Sequence, residues 1–317
     1  MRITQGSRAA RMIGVGAYVP EGVVDNDELA ARFGKPAEWF ESRTGMSTRA
    51  RAGAMTLTEM AVRAGAAALT DAKVEPEQID LVITATCSAD APIPAVAFEV
   101  IRDLEIKSAA AFDLNTACSG FCYSLTVAND LIRAGTAHTV LVTAAEQMTA
   151  ITDPTDLGTS VVFGDGAGAA VVTGSNEPGI GPVVWGSDAS GADLIVQDPS
   201  DRFLRMQGQK VFRWATTEIH PVALSACQQA GVDPSELAAV VPHQANLRIV
   251  DALANKIGAT NAVVARDGAE TGNTSAASIP LALRRLMDSG QVSTGDLALL
   301  VGFGAGLSYA AQVIRVP

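Results

Sequence analysis

Cysteine is scarce in this chain. Its four thiols among 317 residues, Cys87, Cys118, Cys122 and Cys227, show no disulfide-framework spacing and point to a reducing, cytoplasmic setting. Histidine is scarcer still. His138, His220 and His243 are scattered along the chain, which argues against a multi-histidine metal site. Cys118 and Cys122 lie one helical turn apart, but no second ligand pair completes a metal centre. No apolar run approaches the roughly 18 residues of a membrane span. Basic residues number 23 against 34 acidic ones, a net charge of -11. That balance disfavours non-specific nucleic-acid binding and leaves room only for a local basic patch. Neither a GxSxG elbow nor a GxxxxGK[ST] phosphate loop is present. What is present is a chain 48% hydrophobic and 18% charged, rich in Ala, Val and Leu, as a globular core requires. The N-terminal MRITQGSRAARMIGVGAYVP is basic, with a short apolar stretch broken by glycines, and reads as an arm leading into a first strand rather than a signal peptide.

Apolar strand-like runs alternate with helical patterns throughout, the signature of an α/β architecture. Strands are expected at 80–86, 109–114, 139–145, 160–164, 168–172, 237–242, 262–266 and 296–303. The GDGAG stretch at 164–168 has a glycine at every second residue and a strand after it, so it reads as a tight turn between two strands. A weak internal repeat runs across the whole order. Strand DLVITAT, a helix, strand AAAFDL, NTACSG, a helix ending IRAG and strand TVLVTAA make one unit. Strand LAAVVP, a helix, strand AVVAR, DGAETGNTSAASIP, a helix ending LMDSG and strand DLALLVGF make the other. Two similar halves, 1–173 and 174–317, are expected to pack as one compact unit. A pseudo-twofold axis between them brings the loops of Cys118, Asn273 and His243 together at strand ends, where ligands of open α/β sheets sit.

Cys118 stands where a strand gives way to a helix with Phe121, Leu125, Ala128, Leu131 and Ile132 at helical spacing. A helix N-terminus favours the thiolate, the nucleophilic form. A buried cysteine serving as a small hydrophobe is the commoner role, and Cys87, Cys122 and Cys227 are read that way. His243, in VVPHQANLRI, is either a satisfied core histidine or part of a polar cluster at a strand-end pocket. Asn273, in ETGNTSAASIPLAL, is either a turn or N-cap residue or an amide facing that pocket.

In this order, TACSGF, FGDGAGAAVV, VPHQANLRI, GNTSAASIPLAL and GFGAGLSYA resemble the β-ketoacyl-acyl-carrier-protein synthase III family. The resemblance extends from IGVGAYVP through EWFESRTG to the C-terminus. It implies the thiolase fold, a duplicated five-layered αβαβα architecture with mixed sheets. It also implies a decarboxylative Claisen condensation of an acyl-CoA primer with malonyl-acyl-carrier-protein, which initiates fatty-acid synthesis, carried out by a cytoplasmic homodimer with no cofactor beyond its substrates. Two other readings stand beside this one. The chain is a paralogue that primes a polyketide or other specialised pathway or only transfers acyl groups, or it is a non-catalytic scaffold.

By the same resemblance Cys118 is the nucleophile that becomes acylated. His243 and Asn273 donate hydrogen bonds to the enolate oxygen formed on decarboxylation. The backbone N–H groups of Cys118 and Ala305 receive the second oxyanion, with Ala305 standing where many relatives have glycine. Trp39 and Arg43 match residues that hold the nucleotide end of CoA. Gly208, Phe212, Asn246 and Arg248 match the path of the pantetheine arm. Arg213, Arg248 and Lys256 match a docking patch for the acyl carrier protein. Ile93 marks the end of the acyl pocket near the dimer interface. Where relatives often carry arginine in TDRGT this chain has TDLGT, with Leu157 removing a cation from the nucleotide end.

Overall fold

Runs of Val, Ile, Leu and Ala that are apolar on both faces belong in strands covered by helices on both sides. Such runs build the centres of two five-stranded sheets. The computed structural model describes residues 6–317, so the first five residues of the basic arm lie outside the described residues. The N-terminal elements are β1 (Ala9–Tyr18), β2 (Gly22–Asp25), α1 (Asn26–Phe33), α2 (Ala37–Thr44), β3 (Thr48–Arg51), α3 (Leu57–Ala72), β4 (Leu81–Ala85), α4 (Val96–Asp103), β5 (Ala110–Leu114), α5 (Gly120–Arg133), β6 (Thr139–Gln147) and β7 (Asp165–Ser175). The C-terminal elements are β8 (Val184–Gly186), β9 (Ile195–Gln197), β10 (Leu204–Met206), α6 (Gly208–Ala230), β11 (Ala239–Pro242), α7 (Leu247–Ile257), β12 (Val263–Val264), α8 (Gly268–Thr271), α9 (Ser278–Asp288), β13 (Leu297–Gly304) and β14 (Ser308–Arg315).

The first sheet has the order β1-β7-β6-β4-β5 and the second β8-β14-β13-β11-β12. Each has two antiparallel pairings followed by two parallel ones. The duplication expected from the chain order is therefore present strand for strand. Helices α5 and α9 pack between the sheets, with α3 and α4 outside the first and α6 and α7 outside the second. This is the five-layered αβαβα arrangement. Phe121, Leu125 and Ile132 of α5 are fully buried between the sheets, each stabilising the fold by about 1.5–3 kcal/mol.

Two local expectations are corrected. Residues 160–164 form turns rather than a strand, with Ser160 N–H bonded to Asp156 C=O and Val162 N–H to Thr159 C=O. Only Phe163 makes an isolated bridge, to Asn273. GDGAG is not a turn between strands, because Asp165–Gly168 open β7 itself. Its glycines alternate because alternate positions face α9: a Cβ on Gly168 would lie 2.6 Å from Pro280 Cγ and one on Gly166 3.0 Å from Leu281 Cδ1. The described helices include none long and apolar enough to cross a membrane.

Candidate active site

Cys118 sits in a short turn, Ala117–Ser119, immediately ahead of α5. Ala117 adopts a φ of 47°, and the Asn115 side-chain oxygen accepts from its N–H at 3.1 Å. The turn is joined to the one at Ala305–Leu307 through the Ser119 and Ser308 hydroxyls, 2.9 Å apart. Between the two turns, a Cβ on Gly304 would stand 2.7 Å from the Cys118 Cβ and 3.1 Å from its sulfur. Only glycine lets β13 come this close.

At this sulfur burial opposes the ionisation that a helix N-terminus favours. Burial pushes the Cys118 thiol up to about 12. A hydrogen bond from Ser275 opposes that shift, the Glu146 carboxylate adds to it, and the N–H groups of Cys118 and Ala305 also oppose it. Desolvation is the largest influence on this thiol. The two N–H groups expected to form an oxyanion hole are thus the ones directed at the sulfur.

His243 follows β11, is 1% exposed, and packs edge-on against Phe303 with ring centroids 5.2 Å apart. Burial drives its pKa down to about 3, so the ring is neutral. Its Nδ1 lies 2.7 Å from the Ser278 Oγ, which also accepts from the Gln244 N–H at 3.4 Å. Ser278 can satisfy both contacts by donating its own proton to Nδ1, and in that tautomer the histidine hydrogen is on Nε2. Asn273 is oriented just as firmly. Its Oδ1 accepts from Ser275 N–H at 2.9 Å, and its backbone pairs with Val162 and Gly164 at 2.9 and 3.0 Å. The amide nitrogen keeps one long contact, 3.5 Å to the Ala245 carbonyl, and has a second hydrogen to offer.

Cys118, His243, Asn273 and Ala305 line a single cavity of about 910 Å³. Trp39, Arg43, Leu157, Gly208, Phe212, Arg213, Asn246 and Arg248 line the same cavity. The Arg43 guanidinium lies 4.3 Å from the Trp39 ring centroid and that of Arg248 5.3 Å from Phe212. Leu157 packs with Trp39 in the apolar cluster around Phe40 and Val161. Asn246 caps α7 with its oxygen and ties α2 with its nitrogen, 3.0 Å from the Arg43 carbonyl, so both ends of its amide are occupied. Lys256 lies outside the cavity lining, its ammonium on the Thr216 carbonyl at 2.5 Å. Ile93 does not line the cavity of its own chain. It is 83% exposed, because its loop leads into α4, whose N-terminus is tied to edge strand β5 by Asp113 bonds to the Val96 and Ala97 N–H groups.

Sequence reasoning missed three groups. Cys87, read as a small hydrophobe, lines the cavity, whereas Cys122 and Cys227 are buried in core clusters. Glu146, in the apolar strand TVLVTAAEQ, is fully buried. It accepts from Ser88 Oγ at 2.5 Å, Cys87 N–H at 3.1 Å and Ser275 Oγ at 3.0 Å. A lone carboxylate in a strand with no charged neighbour was the available signal. Ser278 is the third, hidden among the small residues of NTSAASIP.

A buried thiol, a neutral imidazole N–H and a free amide hydrogen on one cavity of a duplicated αβαβα core define a thiolase-fold acyltransferase. The family model described as 3-oxoacyl-[acyl-carrier-protein (ACP)] synthase III matches residues 112–189, and that for its C-terminal part matches residues 227–316. The chain is 49% identical to beta-ketoacyl-[acyl-carrier-protein] synthase III 2 of Streptomyces avermitilis, over 97% of this chain and 99% of that one. It is 48% identical to synthase III 4 of Streptomyces coelicolor, over 98% and 99%. Among solved structures, the priming β-ketosynthase of the R1128 polyketide biosynthetic pathway superposes with a TM-score of 0.96 at 43% identity, covering 100% and 98% of the two chains. The 3-oxoacyl-(acyl carrier protein) synthase III of Pseudomonas aeruginosa gives 0.92 at 38% identity, covering 98% and 99%. The chain belongs to the β-ketoacyl-acyl-carrier-protein synthase III family, whose general reaction is a decarboxylative Claisen condensation.

Proposed function

We propose that Cys118 takes an acyl group from an acyl-CoA primer and that the acyl-enzyme condenses with malonyl-acyl-carrier-protein to give a β-ketoacyl-carrier product. The observation that carries this reading is the convergence of Cys118, His243 and Asn273 on one cavity, with His243 held neutral. In the first half-reaction the sulfur attacks the primer thioester, CoA leaves, and the N–H groups of Cys118 and Ala305 bind the oxyanion. In the second, malonyl-carrier loses carbon dioxide. His243 Nε2–H and the Asn273 amide hydrogen bond to the enolate oxygen as its charge develops. The carbanion then attacks the acyl-cysteine. A neutral histidine suits this role because it donates without needing to be protonated from solution.

Trp39 and Arg43 hold the nucleotide end of CoA, and Gly208, Phe212, Asn246 and Arg248 line the arm's path. Arg213, Arg248 and Lys256, all exposed, give the acidic carrier protein a local basic face on a chain of charge -11. The enzyme works as a homodimer in which Ile93, prominent on the surface of one chain, approaches the end of a partner's acyl pocket. Four free thiols fit a cytoplasmic setting.

Priming of a polyketide or other specialised pathway is favoured over initiation of fatty-acid synthesis. Two observations support it: the likeness to the R1128 priming ketosynthase and the apolar Leu157 beside Trp39 at the nucleotide end. The test is a panel of acetyl-, branched and longer acyl-CoA primers, each with malonate on a fatty-acid or a polyketide carrier, read by product mass. Faster turnover of non-acetyl primers on the polyketide carrier is expected. Preference for acetyl-CoA on the fatty-acid carrier would reverse the pathway assignment, and absence of any β-ketoacyl product would end the condensation reading.

A further inference from the structure

Residues 161–164 belong to neither sheet, yet their backbone is held from two sides. On one side Asn273 N–H donates to the Val162 carbonyl at 2.9 Å and Gly164 N–H to the Asn273 carbonyl at 3.0 Å. On the other, Arg49 Nε donates to the Val161 carbonyl at 2.7 Å and an Arg51 terminal nitrogen to the Phe163 carbonyl at 3.1 Å. The carbonyls alternate, as they do along a strand with neighbours on both sides. Here the second neighbour is a pair of guanidinium groups. Val161, Val162 and Phe163 line the cavity.

Arg49 and Arg51 stand two apart on β3, so both point from the same face of the strand. Arg49 has no exposed surface. Its terminal nitrogens donate to Asn26 Oδ1 at 2.7 Å and Thr44 Oγ1 at 3.3 Å. Its stem lies against Gly272, the residue before Asn273, whose φ is 74°. A Cβ there would stand 2.8 Å from Arg49 Cγ and 3.1 Å from the Val162 carbonyl oxygen. Among the described residues neither arginine makes an ion pair, although an unpaired buried charge is costly. Burial pushes the Arg49 pKa down to about 10, which still leaves it charged at neutral pH. Every acceptor it meets is neutral. The group serves as a planar fan of donors that reaches three separate segments at once.

We propose that Arg49 and Arg51 are positioning residues for Asn273 in the decarboxylation step. They stand where a neighbouring strand would and press 161–164 against the Asn273 backbone. The Asn273 Oδ1 already accepts from Ser275 N–H, so the backbone position decides where the free amide hydrogen points. Neither arginine lines the cavity; each acts through the clamp. The turn that carries Cys118 is braced separately, by the Ser119 and Ser308 hydroxyls, so the effect is confined to the second half-reaction. The inference rests on the proposed condensing reading and adds the residues that aim its amide donor.

The experiment measures Cys118 acylation by intact mass and carbon dioxide release from malonyl-carrier, in wild type, Arg51→Met and Arg51→Lys, each with and without Asn273→Ala. Misplacing a reacting group by about 1 Å can cost about 100-fold. Arg51→Met keeps the apolar stem and loses the donors. Its kcat for decarboxylation should fall by about 10- to 100-fold, with KM for malonyl-carrier and the acylation rate unchanged. Arg51→Lys, which keeps one cation, should fall less. In the Asn273→Ala background Arg51→Met should cost nothing further, because the amide it aims is gone. Undiminished decarboxylation in Arg51→Met, equal losses in both half-reactions, or a full added loss in the Asn273→Ala background would each overturn the inference and leave the condensing function intact. Wild type that releases no carbon dioxide would instead remove the function reading and the inference with it. Arg51 is only partly buried. If Arg51→Met nevertheless does not fold, Arg51→Lys decides. Exchange of the Gly164 amide hydrogen should quicken and decarboxylation fall while acylation holds, and the absence of either change refutes the inference.

Discussion

The two halves of the molecule carry the same turn and use it differently. Asn115-Thr116-Ala117-Cys118 precedes α5 and Asn273-Thr274-Ser275-Ala276 precedes α9. In each, the asparagine oxygen accepts from the N–H two residues on, at 3.1 and 2.9 Å. In each, the residue after threonine has a φ of 47°, and the threonine hydroxyl is buried without a partner. The strands repeat as well. Asp80 N–H pairs with Thr139 C=O as Ala238 N–H pairs with Leu297 C=O. Counting along the paired strands from there sets His243 against Ala85 and Gly304 against Glu146. One half thus holds the thiol, faced by a glycine that makes room for it. The other holds the imidazole and the buried amide, and the carboxylate that faces it comes across from the first half. A duplicated scaffold supplies the geometry twice, and a few side-chain differences divide the chemistry between the copies.

That division can be broken most completely at the nucleophile. Cys118→Ala, which makes the first turn resemble the second, should abolish acyl-enzyme by intact mass; retained primer labelling would move the nucleophile elsewhere. The asparagine pair sharpens the contrast. Asn273→Ala should slow malonyl-carrier decarboxylation by about 100-fold, as loss of an oxyanion donor does. Asn115→Ala should cost mainly the turn, about 1 kcal/mol of stability as for a lost cap, read as a lowered Tm. Equal kinetic losses in the two variants would show that the amide acts only as a turn former. Gly304→Ala should destabilise by about 1–3 kcal/mol, the usual cost of overpacking, and slow acylation more than decarboxylation. Because the folded-state pKa of His243 lies near 3, the ring stays neutral from pH 8 down to 5, so decarboxylation should show no histidine-type inflection near pH 6.5. Leu157→Arg should have the smallest effect, lowering KM for acyl-CoA severalfold with kcat unchanged. An unaltered KM would detach Leu157 from the nucleotide end.

Much of the sheet architecture was visible in the chain, because central strands buried on both faces are continuous apolar runs. The strand expected at 139–145 is β6, and that at 296–303 is β13. The run SVVFG misled because local apolarity cannot say how many partners a segment has. The Val162 carbonyl and the Gly164 N–H bond to the backbone of Asn273, so the segment clamps that residue and is not a member of a sheet. The GDGAG alternation was seen and given to a turn, since the helix that needs those gaps, α9, comes more than a hundred residues later. The ordered motifs brought Cys118, His243 and Asn273 forward together. They could not reveal how strongly burial acts on the sulfur. Nor could they show that Cys87 and Glu146, far apart in the chain, stand beside it.

Helices α5 and α9, which carry the two turns, form the middle layer of the fold. Cys118 and Asn273 are therefore mounted on the layer buried between the two sheets. Amide hydrogens of α5 just after Cys118 should exchange at rates set by global unfolding. Heat should abolish activity and structure in one transition, with no earlier phase in which the reaction centre alone has come apart.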